Sequence, residues 1–140
     1  MNAPAAPDSS QELSSMTFPP ITRTTLALYC GGSGDHNPIH VDIDFARQAG
    51  LDDVIAHGML IKAYIGRAVT SVIDQSAIAR FDTQFVAPVH IGDVIKVTVS
   101  KNETDLASDP DQPAILAEAM NNQGVTVARS KIWITTSPTR

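Results

Sequence analysis

Between residue 57 and about residue 74, apolar side chains are so dense that the segment has almost no polar side. Met59, Leu60, Ile61, Ala63, Tyr64, Ile65, Ala68, Val69, Val72 and Ile73 spread all round a helix. A helix that is apolar on nearly every side is buried in its domain, so the rest of the chain must enclose it. The second half supplies the means. Ala79, Phe81, Thr83 and Phe85 alternate with Arg80, Asp82 and Gln84, and Ile95, Val97 and Val99 alternate with Lys96, Thr98 and Ser100. Such period-two patterns mark half-buried antiparallel strands. Pro88 breaks the first strand and Gly92-Asp93 marks a turn. Residues 115–120 and 125–136 read as a hairpin across Asn121-Asn122-Gln123-Gly124. Residues 101–113 are polar, acidic and contain proline, as a surface loop does. A buried helix packed on a curved antiparallel sheet is an α+β domain.

The first half carries two shorter helices. Thr22 is an N-cap for a helix over residues 23–31, with Leu26, Tyr29 and Cys30 on one face. The Gly31-Gly32-Ser33-Gly34 run is expected to end it, because glycine accepts positive φ. Residues 35–42 form a constrained loop, with Pro38 fixing one φ angle. Residues 44–49 look like a second helix closed by Gly50, with Phe45, Ala46 and Ala49 at helical spacing. Residues 1–16 are rich in Ala, Pro and Ser, with neither a basic start nor an apolar centre, so they read as a mobile tail rather than a secretory signal. Residues 17–140 make one domain, and 140 residues suffice for one core.

Charge narrows the classes of partner. The net charge is −5, whereas nucleic-acid binding rests on a basic footprint. The same charge disfavours an anionic membrane surface, and no run approaches the ~18 apolar residues of a membrane span. The single cysteine, Cys30, precludes an internal disulfide and suits a cytoplasmic location.

The chemistry concentrates in Gly34-Asp35-His36-Asn37-Pro38-Ile39-His40, followed by His57-Gly58-Met59. Asp35 and His40 lie in a Gly/Asn/Pro loop, where a carboxylate and an imidazole can converge without being committed to a core. Asp52 and His57 share their five-residue spacing but flank apolar Val54 and Ile55, so spacing alone decides nothing. Gly58 opens the long helix, whose first N–H groups have no intrahelical partner and sit at the positive end of its dipole. A glycine there lets a ligand carbonyl approach the backbone closely. An acid/base pair beside such an oxyanion site is what reversible water addition to an acyl thioester needs.

Each residue also has a plainer reading. Asp35 can be an Asx-type loop cap, His40 a satisfied loop histidine, and Gly58 an aid to a tight entry into the helix. His57 is read as capping or orienting the helix start, and Met59 and Tyr64 as core. His36 and His40 would share a metal-binding face on a helix, but Pro38 disfavours that helix and Cys30 is the only soft ligand nearby. The glycine run is neither a dinucleotide fingerprint nor a phosphate loop, and no nucleophile elbow is present.

These motifs resemble a known family. Gly34-Asp35-x-Asn37-Pro38-x-His40, then Ala56-His57-Gly58-Met59-Leu60, is similar to the MaoC-like dehydratases, which include (R)-specific enoyl-CoA hydratases and 3-hydroxyacyl-ACP dehydratases. Phe85-Val86-Ala87-Pro88-Val89 with Gly92-Asp93 resembles the family's strand after the central helix. Residues 50–60 are similar to the small dehydratase subunits of mycobacterial-type fatty acid elongation. The resemblance runs from about Ile21 to Thr136. It implies a hot-dog fold, and a homodimer, or a heterodimer with another hot-dog subunit, that binds substrate near the interface. It implies Asp35 and His40 as the catalytic pair, Gly58 as the oxyanion donor, and Asn37, His57 and Met59 near the substrate. It implies no metal or redox cofactor, because the CoA or acyl carrier belongs to the substrate. One departure is Gly66, where many relatives have a serine near the site. Hot-dog thioesterases commonly carry a carboxylate in the central helix, and residues 58–73 contain none apart from the chain beyond them.

Overall fold

A computed structural model describes residues 11–103 and 108–135 of the chain. Five antiparallel strands form one sheet: β1 (Glu12–Thr17), β2 (Ile78–Phe85), β3 (Lys96–Lys101), β4 (Ile115–Met120) and β5 (Thr126–Ile134). Their spatial order is β1-β3-β4-β5-β2, which leaves β1 and β2 at the edges. Three helices accompany them: α1 (Arg23–Ser33), α2 (Ile43–Gln48) and α3 (Gly58–Thr70). Helix α3 packs against β1, β3, β4 and β5. Its Leu60, Ile61, Ile65, Ala68 and Val69 join Val97, Val99, Ala117, Ala119, Ala128 and Ile132 in one core. Among the described residues, no helix is long and apolar enough to cross a membrane.

Several expectations change. The stretch read as a tail up to Met16 is partly an edge strand: Glu12–Thr17 pairs with β3, Met16 opposite Val97. An edge strand needs only backbone pairing along one side, so Ser14 and Ser15 gave no apolar signal. Residues 1–10 of that tail lie outside the described residues. Helix α1 starts at the expected N-cap, where Thr22 Oγ1 accepts from Thr25 N–H at 3.1 Å. It then runs through Gly31 and Gly32 to Ser33. A glycine weakens a helix by about 1 kcal/mol without stopping it. The stop comes at Gly34, which takes φ +76° while its N–H bonds the Cys30 carbonyl.

Helix α3 is shorter than its apolar pattern, ending at Thr70, and it is not enclosed all round. Met59 is 54% exposed and Val72 40%, and Ala63 is also exposed. The sheet of one chain covers one side of the helix, so the pattern of the segment exceeds what one chain buries. Met59 is therefore not core, while Tyr64 is half-buried and stacks on Phe18 with ring centroids 4.2 Å apart. Strand β2 forms where expected but its burial does not alternate: Ala79 and Phe85 are exposed while Phe81, Asp82 and Thr83 are all half-buried, because β2 is an edge strand paired only with β5.

The β4–β5 turn is as expected. Asn121 N–H donates to Val125 O at 2.9 Å, and Asn121 Oδ1 accepts from the Gln123 and Val125 N–H groups. Helix α2 is shifted by one residue from its expected bounds because Asp42 caps it, accepting from Asp44 and Phe45 N–H.

Candidate active site

The site is built where the α1–α2 loop meets the start of α3. Gly34 turns the chain out of α1. Ser33 Oγ accepts from Asp35 N–H at 3.1 Å. Asp35 Oδ1 accepts from Asn37 N–H at 3.3 Å, so the Asx-type cap is present beside any chemical role. Asn37 Oδ1 accepts from Ile39 N–H at 3.2 Å and caps a single 3-10 turn, Pro38–His40. Asn37 thus shapes the loop.

That turn delivers His40, whose Nδ1 lies 2.7 Å from the Ile55 carbonyl. A carbonyl oxygen only accepts, so Nδ1 carries the proton and Nε2 keeps a free lone pair. The Ile55 segment is anchored in turn, bridged to His90 and bonded through Ala56 N–H to Val89 O at 2.9 Å.

His57 occupies the N-cap position of α3, but its side chain makes no capping bond. This corrects the expected capping role. The imidazole is 1% exposed and turns inward. Its Nε2–H donates to the main-chain carbonyl of Asp35 at 3.2 Å. Its ring stacks on His40 at 3.8 Å with planes 25° apart, and the Tyr29 ring meets it edge-on at 4.8 Å. Its Nδ1 is buried without a partner. Burial pushes the His57 imidazole below its ordinary value, and His40 lowers it further, against the opposing pull of the Asp35 carbonyl and carboxylate. His57 is therefore a neutral ring.

Asp35, His40 and His57 each offer a ligand-type atom, all within 4.8 Å of one another. Two imidazoles and a carboxylate suit proton transfer, and the same donor set suits a divalent transition metal. His36 and Cys30 do not join the group, as expected of a loop that contains Pro38. His57 is the member that local spacing did not assign, since its partner Asp35 lies outside any helical or strand period. Its sequence signal was the Ala56-His57-Gly58-Met59-Leu60 motif, whose resemblance placed it near the substrate.

Gly58 is the first residue of α3. A Cβ on it would sit 3.2 Å from two atoms of the Phe85 ring. The glycine therefore admits the aromatic ring of an edge strand as well as leaving its own N–H accessible. Met59 follows on the exposed side. Gly66 has open space around it, so a serine there would meet no obstacle.

The chain is similar to named proteins over part of its length. It is 37% identical over 82 residues to an (R)-specific enoyl-CoA hydratase of Rhodospirillum rubrum, covering 57% of each. It is 34% identical over 67 residues to a mitochondrial 3-hydroxyacyl-[acyl-carrier-protein] dehydratase of Arabidopsis thaliana, covering 48% of this chain and 40% of that one. The chain thus matches about half the length of these curated relatives. Among solved structures, R-hydratase PhaJ1 from Pseudomonas aeruginosa superposes with a TM-score of 0.71 at 27% identity, over 86% of this chain and 77% of that one. The ChsH1-ChsH2 complex from Mycobacterium tuberculosis gives 0.73 at 15% identity, over 90% and 95%, which speaks for the fold alone. The fold is the hot-dog fold of these hydratases. The family described as MaoC like domain matches residues 6–120, and the chain belongs to that family.

Proposed function

We propose that this protein adds water reversibly to trans-2-enoyl thioesters, of CoA or acyl-carrier protein, giving (R)-3-hydroxyacyl thioesters. The observation that carries this is the convergence of the Asp35 carboxylate and the His40 imidazole within 4.8 Å, with Gly58 opening α3 next to His57. The names of the relatives that match about half of this chain support the same chemistry.

Water held by Asp35 and by His40 Nε2 loses a proton to the pair as its oxygen bonds C3 of the substrate. The C2=C3 π electrons shift toward the thioester carbonyl, and the charge on its oxygen is met by Gly58 N–H. The proton returns to C2, so water is consumed and nothing is left over. The (R) configuration follows from the resemblance. Asn37 holds the loop, while Met59 and His57 border the substrate. The scheme uses no metal and no redox cofactor, and the cytoplasm suits it.

Partner choice follows from the open side of the molecule. Strand β2 has a free edge, and Met59, Phe85 and Val86 are exposed apolar residues on or beside it and α3. A second copy or another hot-dog subunit would cover them. Because both Asp35 and His40 are present, this chain would be the catalytic member if its partner is another hot-dog subunit rather than a second copy. A thioesterase is the weaker alternative, since α3 carries no carboxylate.

The test is loss of the enoyl-thioester absorbance on mixing purified protein with crotonyl-CoA and a longer enoyl-CoA, with Asp35→Asn alongside. Loss in wild type only is expected. Equal turnover by Asp35→Asn would refute the assignment, and release of free thiol without hydration would establish the thioesterase instead.

A further inference from the structure

His57 touches both acid/base residues from the other side of the site, yet neither local spacing nor helix capping explains its position. Burying an imidazole nitrogen without a partner is costly, and Nδ1 of His57 is such a nitrogen. What the ring does contribute is geometric. Its Nε2–H ties the main chain of Asp35 to the start of α3, and its face lies parallel to His40 at stacking distance. Tyr29 closes the third side.

We propose that His57 is a positioning residue. Its imidazole acts as a spacer that fixes the Asp35 main chain and the plane of the His40 ring together, so that the carboxylate and Nε2 of His40 converge. The inference rests on the hydration chemistry proposed above. The two rings take opposite tautomers. His40 carries its proton on Nδ1, toward Ile55 O, and His57 carries its proton on Nε2, toward Asp35 O. The titratable groups facing His57 are Asp35 and His40 from the loop and Tyr29 from α1. His57 stays neutral while His40 exchanges its proton, which spares the site a pair of stacked cations.

Three variants separate positioning from packing. His57→Phe keeps ring volume and stacking, and removes both the donor and the unpartnered nitrogen. His57→Asn gives up the ring and keeps an N–H donor for the Asp35 carbonyl. His57→Ala gives up both. The expected order of kcat is wild type, then Asn, then Phe, then Ala, with a loss of about 10- to 100-fold for Phe, the scale of a small misplacement of catalytic groups. KM for crotonyl-CoA stays close to wild type. The expected Tm order places Phe above Asn. If kcat instead follows Tm across the series, His57 is packing and the proposal fails.

A second measurement is independent of turnover. Long-range proton–nitrogen NMR spectra of wild type are expected to show His57 as the Nε2–H tautomer, still neutral at pH values just below the ordinary histidine value of 6.5. A His57 that becomes charged at or above that value, or that carries its proton on Nδ1, overturns the proposal even if hydration stands. A wild type inactive on every enoyl thioester overturns the function instead and leaves the tautomer result to decide the role of His57.

Discussion

Asp35 and His40 are five residues apart, and so are Asp52 and His57, yet the two segments end differently. The first is a loop between helices whose polar groups fold back on one another, and it brings both side chains to one place. The second is a strap across the domain. Val54 is buried, Asp53 pairs with Arg23, and the Asp52 carbonyl accepts from Arg47 Nε at 3.2 Å. Its histidine leaves Asp52 behind and joins Asp35 instead. Equal spacing brings carboxylate and imidazole together only where the backbone is free to curl. Where apolar residues pin the strap to the core, the same spacing splits into a surface carboxylate and a buried imidazole.

The comparison breaks first at the loop. Asp35→Ala and His40→Ala are each expected to lower kcat for crotonyl-CoA hydration by at least ~100-fold, the usual scale for acid/base groups. Near-normal turnover in both would put the chemistry elsewhere. At the end of the strap, Gly58→Ala drives a methyl group against Phe85 and is expected to cost about tenfold in kcat/KM, a modest misplacement. Adding Phe85→Leu should restore most of it. If the double variant stays as slow as the single one, the glycine serves the approach of the ligand rather than the ring.

The strap also has a pH signature. With its folded-state pKa depressed, His57 binds fewer protons in the folded chain than in the unfolded one. Stability is therefore fully present above the ordinary histidine value of 6.5. It falls as the pH drops below that value, toward the depressed one. Thermal melts between pH 7.5 and 5 should show a steeper acid loss for wild type than for His57→Phe, and parallel curves would contradict the neutral ring. The smallest effect belongs to Asp52→Ala, whose exposed side chain lies away from the site. It should leave kcat unchanged, and a large loss would mean that the strap's carboxylate shares the chemistry after all.

Much of this was legible in residues 34–40. Gly34 admits a left-handed turn, Asn37 and Pro38 restrict the backbone, and such local preferences are what a sequence displays. The strand alternation was legible for the same reason. The bounds of α1 were not, because Gly31 and Gly32 look like stops and only the conformation of Gly34 distinguishes the real one. Strand β1 was hidden because Glu12, Ser14 and Ser15 contribute backbone rather than apolar side chains to their pairing. The contacts of His57 were hidden because they come from a loop 17 to 22 residues earlier in the chain, brought close by the packing of α3. The exposed side of α3 shows the reverse case, an apolar pattern more extensive than one chain satisfies.

The hydrogen bond from His40 Nδ1 ends on a main-chain carbonyl, that of Ile55. Every amino acid carries that oxygen. His40 therefore keeps its tautomer whatever side chain stands at position 55, provided the strap keeps its path. Under the proposed hydration, the side chain at position 55 can be exchanged for one of another size or polarity while the proton on Nδ1 stays where it is.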